Sequence, residues 1–460
     1  MNKGLEIYKN KKILVFGAGL SGVNAALFLQ SNGAKVSLID QKKANEINDY
    51  QRLIDNGIKV FTESDSADIL ENEYELIVKN PGIPYTAPIV KKAKEKNIPI
   101  ITEVEIASEM NVGGLVGVTG SNGKTTTTTM IDEMLSHKKD GKSFKAGNIG
   151  ISATQTAQNV SVNDILILEL SSFMLLGITD LKPHVAVITN IFSNHLDYHL
   201  TRENYINAKM RITENQDEND YLVINFDEKE WENLSKKTKA QVVPFSRLKK
   251  TEKGAYQSDG KLYFKDEFII DVRDIFVPGE QNVENALAAI ATAKIYNINN
   301  EDIAKVLKTF SGVRHRVQYV LTDNNDISYY NDSKATDIEA TQMAIRGLGK
   351  SIVLIAGGLD RGYKFDGLVD DFKNHLKGIV LYGQTAQLMK EAALEAGLSK
   401  IEIVKDLKEA TKTAISIAES KDVVLLSPAN ASWDQFDNFE DRGNQFISEV
   451  EKITKQKEKM

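Results

Sequence analysis

The chain has 460 residues, 42% of them hydrophobic and 26% charged, with a formal net charge of −7. Such a balance describes a globular chain of roughly two to four domains and argues against a general nucleic-acid binder, which needs a basic face. The absence of cysteine excludes disulfides, thiolate zinc sites and a cysteine nucleophile, and makes a reducing cytoplasm the expected compartment.

The first ten residues lack the long apolar core of a secretory signal. No apolar run approaches the roughly 20 residues that span a bilayer, so no membrane insertion is expected. Residues 11–15 read as a strand, 20–30 as a helix and 35–40 as a second strand, and 76–79, 87–96 and 98–101 continue the alternation. Repeated strand–helix units predict a parallel sheet covered on both faces, and the first domain is placed at residues 1–110. Gly17-Ala-Gly-Leu-Ser-Gly22 follows the first strand and opens the helix, and Asp40 ends the next strand. Taken alone, this predicts dinucleotide binding with Asp40 on a ribose. No hydride-transfer site follows it, however. A Rossmann-like domain for a nucleotide-linked substrate is the better reading, with Asn80-Pro-Gly82 as a second tight turn at a strand's C-terminal end.

A second domain is placed at 111–312. The apolar run 115–118, the turn within Gly117-Val-Thr-Gly-Ser-Asn-Gly-Lys-Thr-Thr126 and the helix expected over 125–135 form a strand–loop–helix unit. Such a loop aims backbone N–H groups and a helix N-terminus at one point, which suits a phosphate chain. Lys124 adds a point charge, and the Thr125 hydroxyl can hold Mg²⁺. The loop is a variant, because Val118 stands where the usual pattern has its first glycine. Strands are expected at 164–169, 185–189 and 221–225, and parallel topology brings their ends to one rim. Asn148, Glu169, Asn190, His195 and Lys209 lie at or after such ends, and Glu169 is the simplest hard oxygen ligand for Mg²⁺. Asp259-Gly260 predicts a hairpin within 257–264, and helices over 284–296 and 302–310 close the domain. The third domain, 313–460, carries strands expected at 328–330, 351–356, 378–382 and 422–426, and the Lys-rich tail after residue 453 is expected to fray.

Thr119-Gly-Ser-Asn-Gly-Lys-Thr-Thr126, Leu168-Glu-Leu-Ser-Ser-Phe173 and Asn194-His-Leu-Asp197 resemble the Mur ligases, the ATP-dependent amino-acid-adding enzymes of bacterial cell-wall synthesis. Asn331-Asp-Ser-Lys-Ala-Thr336 and Leu426-Ser-Pro-Ala-Asn-Ala-Ser432, with Asp434-Gln-Phe436, resemble the D-glutamate-adding branch of that family. The resemblance implies an α/β chain of three domains. These are an N-terminal Rossmann-like domain, a central P-loop ATPase-type domain with a mostly parallel sheet and a small added antiparallel part, and a C-terminal Rossmann-like domain. It implies that ATP phosphorylates the carboxylate of UDP-N-acetylmuramoyl-L-alanine and that D-glutamate attacks the acyl phosphate, releasing ADP and phosphate. The chain is expected to act as a monomer.

Residue roles follow from the same resemblance. Gly120, Ser121, Asn122, Gly123, Lys124, Thr125 and Thr126 would hold the ATP phosphates. Asn282 and Asn285 would line the nucleotide, Arg316 would lie near the phosphates and Asp332 on the ribose. Two Mg²⁺ ions are implied, with Thr125, Glu169, His195 and Lys209 as ligands, the last as a carbamate; Lys124, Glu169, His195 and Lys209 are the implied catalytic set. Leu20, Ser21, Gln41, Lys42, Asn80, Pro81, Gly82, Asn148 and His195 would bind the UDP substrate. Lys334, Thr336, Arg361, Ser432 and Phe439 would bind D-glutamate. Asp337, Asn194 and Asn430 depart from the residues expected at their positions, and Arg361 stands in for a lysine known in some members.

Overall fold

A computed structural model describes residues 6–47, 49–192, 194–349 and 351–459. The N-terminal stretch read above for a secretory signal begins outside them. The chain divides into two compact units, Met1–Val272 with Glu284–Val306, and Arg273–Val283 with Leu307–Met460.

The first unit carries two sheets. Strands β1 (Lys12–Phe16), β2 (Lys35–Ile39), β3 (Lys59–Phe61), β4 (Leu76–Lys79) and β5 (Ile100–Ile101) form an all-parallel sheet in the order β3-β2-β1-β4-β5. The strand order reverses at β1/β4, and ligands of open α/β sheets collect at the C-terminal ends beside such a reversal. Both Gly17-Ala-Gly-Leu-Ser-Gly22 and Asn80-Pro-Gly82 sit there.

The second sheet is built from β6 (Gly114–Thr119), β7 (Ser143–Gly147), β8 (Ile165–Glu169), β9 (Val185–Ile188), β10 (Tyr221–Asn225) and β11 (Gln241–Ser246), then β12 (Ala255–Ser258), β13 (Lys261–Phe264) and β14 (Glu267–Asp271). Their order is β14-β13-β12-β11-β10-β9-β6-β8-β7, parallel from β7 to β12 and antiparallel from there to β14. Strands β8 and β9 are buried along their whole length, as an apolar run covered on both faces requires. The hairpin falls where expected: Asp259 and Gly260 both take positive φ, 51° and 70°, as a mirror-image two-residue turn demands.

One apolar cluster serves both sheets, and two buried acids fasten them. Glu103 accepts from the Ser152 hydroxyl at 2.5 Å and from Thr154 N and Oγ1 at 2.9 and 2.7 Å. Burial pushes its carboxyl up, against the pull of those donors. Glu105 gathers the N–H groups of Thr179, Asp180 and Leu181 and the Thr179 hydroxyl.

The second unit holds β15 (Gln318–Thr322), β16 (Ser328–Asn331), β17 (Ile352–Gly357), β18 (Leu376–Tyr382), β19 (Ile401–Ile403) and β20 (Val423–Leu426), ordered β15-β16-β20-β17-β18-β19. Only the edge pair β15/β16 is antiparallel. The expected fraying of the C-terminal tail is corrected. The last helix runs Phe439–Thr454; beyond it, Lys459 N donates to Val320 O at 2.8 Å and Glu458 pairs with Arg314. Backbone pairing to an edge strand outweighs the lysine-rich composition.

That last helix lies very close to the turn after Arg314. A Cβ added at Gly443 would stand 2.2 Å from His315 Nδ1, the atom to which Asn331 Nδ2 donates at 2.9 Å. His315 is buried and neutral, its pKa lowered to about 4 first by desolvation and then by the charge of Arg314. Gly443→Ala is expected to lower the unfolding free energy of the chain by a net of about 1–2 kcal/mol, read as a lower urea midpoint. Overpacking and the lost hydrogen bond outweigh the roughly 1 kcal/mol that alanine contributes to helix propensity. An unchanged or raised midpoint would contradict this packing.

Candidate active site

β6 enters the Gly-rich loop and the helix Lys124–Leu135 leaves it. Gly123 caps that helix with φ 79°, and a Cβ there would lie 2.2 Å from Asn285 Oδ1, so the turn and the neighbouring helix Glu280–Ile295 both demand glycine. The loop is braced from β9. Asn122 N donates to Asn190 Oδ1 at 2.9 Å, and the Thr189 hydroxyl donates to Asn122 O at 2.6 Å. Ser121 Oγ meets Tyr205 OH at 2.9 Å. Asn285 also accepts from Thr127 Oγ1 at 3.2 Å, while Asn282 Nδ2 bonds Pro278 O at 2.7 Å. Sequence reasoning named Asn190 only as a strand end and passed over Thr189 and Tyr205. Nothing in their spacing shows that they support the loop.

Three ionisable groups meet at this loop. Lys124 Nζ donates to Gly120 O at 2.9 Å and Ser121 O at 2.7 Å, and Lys209 Nζ donates to the same Gly120 O at 2.7 Å. Glu169 ends β8, which pairs with β6 through Val118 opposite Glu169. Lys209 is 2% exposed. Desolvation drives its pKa well below the ordinary lysine value, the Lys124 charge pushes the same way, and Glu169 opposes them. Glu169 is fully buried; its Oε1 accepts from Asn148 Nδ2 at 2.8 Å, but its Oε2 has no hydrogen-bond partner among the described residues. A buried carboxylate oxygen left without a donor is costly, and a hard cation is the group that would satisfy it. Thr125, buried in the first turn of the loop helix, supplies a hydroxyl of the same hard oxygen type.

His195 is exposed, has positive φ of 53°, and meets the Phe173 ring edge-on at 5.0 Å. Such backbone strain is common at functional sites. Phe173 in turn stacks on His199, whose Nε2 is 2.9 Å from the Ser172 hydroxyl.

A cavity of about 350 Å³ opens beside this rim, and Leu20, Ser21, Asn80, Pro81, Gly82 and Asn148 all line it. The Gly-x-Gly-x-x-Gly run owes part of its pattern to packing: a Cβ on Gly22 would fall 2.0 Å from Gly17 O. Asp40 braces the turn itself, accepting from Ala18 N at 2.5 Å and Lys42 N at 2.8 Å. Gln41 and Lys42 lie outside the cavity lining, at the end of β2, where Gln41 bonds Asp65 at 2.6 Å.

In the second unit Asp332 is buried; Oδ1 accepts from Val317 N at 3.1 Å and Oδ2 from Ser427 Oγ at 2.8 Å. Desolvation raises its pKa to about 7, opposed by these bonds and by the Arg316 charge, so Arg316 and Asp332 are neighbours. Lys334 Nζ lies 4.9 Å over the Phe439 ring, and Arg361 lies 4.9 Å over the ring of Trp433, next to the buried Ser432. Thr336 follows two residues after Lys334 on the same turn. Asp337 caps the helix Ile338–Leu348 through Ala340 N at 2.8 Å.

A Gly-rich strand–loop–helix turn with a buried acid and two lysines, on an α/β chain, is an arrangement suited to a nucleotide-dependent enzyme, and comparison with known proteins gives the class its name. Residues 11–102 match the MurD-like N-terminal domain of Mur ligases, 118–293 the Mur ligase middle domain, and 315–430 the Mur ligase glutamate ligase domain. The chain belongs to the Mur ligase family.

Its relatives narrow the class. The chain is 53% identical to a UDP-N-acetylmuramoylalanine–D-glutamate ligase of Lactiplantibacillus plantarum, over 98% of each chain. It is 45% identical to the ligase of the same name from Listeria innocua, over 99% of this chain and 100% of that one. Among solved structures, a UDP-N-acetylmuramate–alanine ligase of Thermotoga maritima matches with TM-score 0.60 and 21% identity, over 96% of this chain and 100% of that one. MurF ligase of the same organism, in complex with ADP, matches with TM-score 0.59 and 18% identity, over 98% and 100%. At such identities the likeness is one of fold.

Proposed function

We propose that the chain joins D-glutamate to UDP-N-acetylmuramoyl-L-alanine at the expense of ATP, through an acyl phosphate, with release of ADP and phosphate. The observation that carries this reading is the meeting of Lys124, Lys209 and the unpartnered Glu169 Oε2 at the Gly-rich loop.

A carboxylate acylates poorly because its oxide leaves badly. Phosphorylation by ATP turns that oxide into phosphate, the amine of D-glutamate adds to the carbonyl carbon, and the tetrahedral adduct expels phosphate. Lys124 holds positive charge where the transferring phosphoryl oxygens gather negative charge, and the turn Gly120 to Thr126 binds the remaining phosphates through N–H groups other than those of Ser121 and Asn122, which are committed to Asn190. Thr125, Glu169, His195 and Lys209 as its carbamate are the residues that would hold two Mg²⁺ ions, which would supply further neutralisation of phosphate charge. The lowered pKa of Lys209 supports the carbamate: a neutral amine is the form that adds CO₂, and the product is an anionic ligand.

Asn282, Asn285, Arg316 and Asp332 are assigned to the nucleotide, and Asn282 and Asn285 have the paired donors and acceptors that a purine edge requires. The UDP substrate is assigned to Leu20, Ser21, Gln41, Lys42, Asn80, Pro81, Gly82, Asn148 and His195. Lys334, Thr336, Arg361, Ser432 and Phe439 are assigned to D-glutamate, whose two carboxylates call for cations and hydroxyls. The corresponding domains are 1–110, 111–312 and 313–460. Among the described residues no helix is long and apolar enough to cross a membrane. The enzyme is read as a cytoplasmic monomer working on small molecules.

The test is phosphate release from ATP with UDP-N-acetylmuramoyl-L-alanine against a panel of amino acids of both hands. Release that depends on D-glutamate is expected. Release with a diamino acid instead, or with L-alanine and UDP-N-acetylmuramate, would overturn the assignment.

A further inference from the structure

Among the described residues Arg442 is the largest fully buried side chain, and sequence reasoning gave it no role. It lies three residues into the last helix after Phe439, and its guanidinium reaches two separate turns. Nε donates to Ser333 Oγ at 2.9 Å, one terminal nitrogen to Ser333 O at 2.6 Å, and the other to Asn430 O at 2.9 Å. The Ser333 hydroxyl passes the connection on by donating to Phe439 O at 2.7 Å. Arg442 therefore ties together the turn bearing Lys334 and Thr336, the turn bearing Ser432, and the helix start bearing Phe439.

Its electrostatics are as informative as its bonds. All three acceptors are neutral oxygens, and among the described residues no carboxylate lies within ion-pair distance. Asp434 is the acid that feels its charge, and one Asp434 oxygen is itself buried without a partner. A buried cation with only neutral partners is expensive to keep, and an apolar residue of similar volume would fill the space more cheaply. Its presence makes sense where an anion arrives nearby, and the planar fork explains why the residue is arginine: a lysine could not span three acceptors in fixed directions.

We propose that Arg442 is the positioning residue of the amino-acid pocket. It holds Lys334, Ser432 and Phe439 in one cradle and supplies a standing positive potential that favours a dicarboxylate over a neutral amino acid. This rests on the assignment of Lys334, Thr336, Ser432 and Phe439 to D-glutamate.

The experiment compares Arg442→Met and Arg442→Lys with the full-length wild type, measuring KM for each of the three substrates, kcat and Tm. Arg442→Met is expected to raise the KM for D-glutamate about 30-fold, with the KM values for ATP and the UDP substrate within about twofold of wild type, and Arg442→Lys to recover part of the loss. A D-glutamate KM within about twofold of wild type, or three KM values rising together, overturns the proposal. Should Arg442→Met fail to fold, Ser333→Ala removes only the hydroxyl that links Arg442 to Phe439. It is expected to raise the D-glutamate KM about fivefold, and no change there also overturns the proposal. Lys334→Ala separates the two readings. If it leaves the D-glutamate KM unchanged, the pocket assignment itself is wrong; if it raises that KM and Arg442→Met does not, only the role of Arg442 is wrong.

Discussion

Lys124→Ala is expected to reduce kcat about 10³-fold or more with the fold intact. The large loss follows from position. The Lys124 ammonium sits in the mouth of a loop whose N–H groups are neutral donors, so its removal takes a full positive charge from the place where phosphoryl oxygens gather negative charge. Folding is spared because the loop has other supports. Asn122 is held by Thr189 and Asn190, Ser121 by Tyr205, and Lys209 still donates to Gly120 O. Phosphate release and a thermal melt check both halves of the prediction. A variant with near wild-type turnover would remove the loop from the chemistry, and one that fails to fold would show Lys124 to be structural.

Lys209→Met should abolish turnover to a similar degree, about 10³-fold, and at the same time raise Tm in CO₂-free buffer. The sign follows from linkage. Burial lowers the pKa of Lys209 in the folded chain, so across the interval from that lowered value to the ordinary value near 10.4 the unfolded chain binds a proton that the folded chain does not. Folding is penalised there and at every lower pH, neutral pH included, and the penalty fades only as pH rises towards the ordinary value. Methionine fills the volume without the penalty, and Lys124 still donates to Gly120 O. A site that sacrifices stability for function behaves in this way. Calorimetry at neutral pH and the phosphate assay decide it: a lower Tm would show that the Gly120 bond outweighs desolvation, and retained activity would remove Lys209 from the site.

Much of the architecture could be read from the residues. Strands such as β4 and β10 fall where their apolar runs lie, because a buried parallel strand needs little more than an uninterrupted run. The helix Glu280–Ile295 starts one turn before the expected residue 284. Its first turn is polar, so no apolar period marks its start in the sequence. Asp40 has a role that its place in the motif does not show: its carboxylate accepts from two backbone N–H groups and braces the turn.

The sequence by itself determined the local units: the strand–glycine loop–helix at 114–135, the Asp259-Gly260 hairpin, the alternation that makes the sheets parallel, and the family. These depend on period, turn chemistry and neighbouring residues, which a linear string contains. Only the tertiary structure decided which polar groups share an atom or lack a partner. That Lys124 and Lys209 both reach Gly120 O, that Glu169 Oε2 is buried unpaired, and that Arg442 joins two turns about 100 residues apart are consequences of desolvation and long-range closure. Both are set by what the folded chain packs around a group, and no spacing in the sequence encodes them.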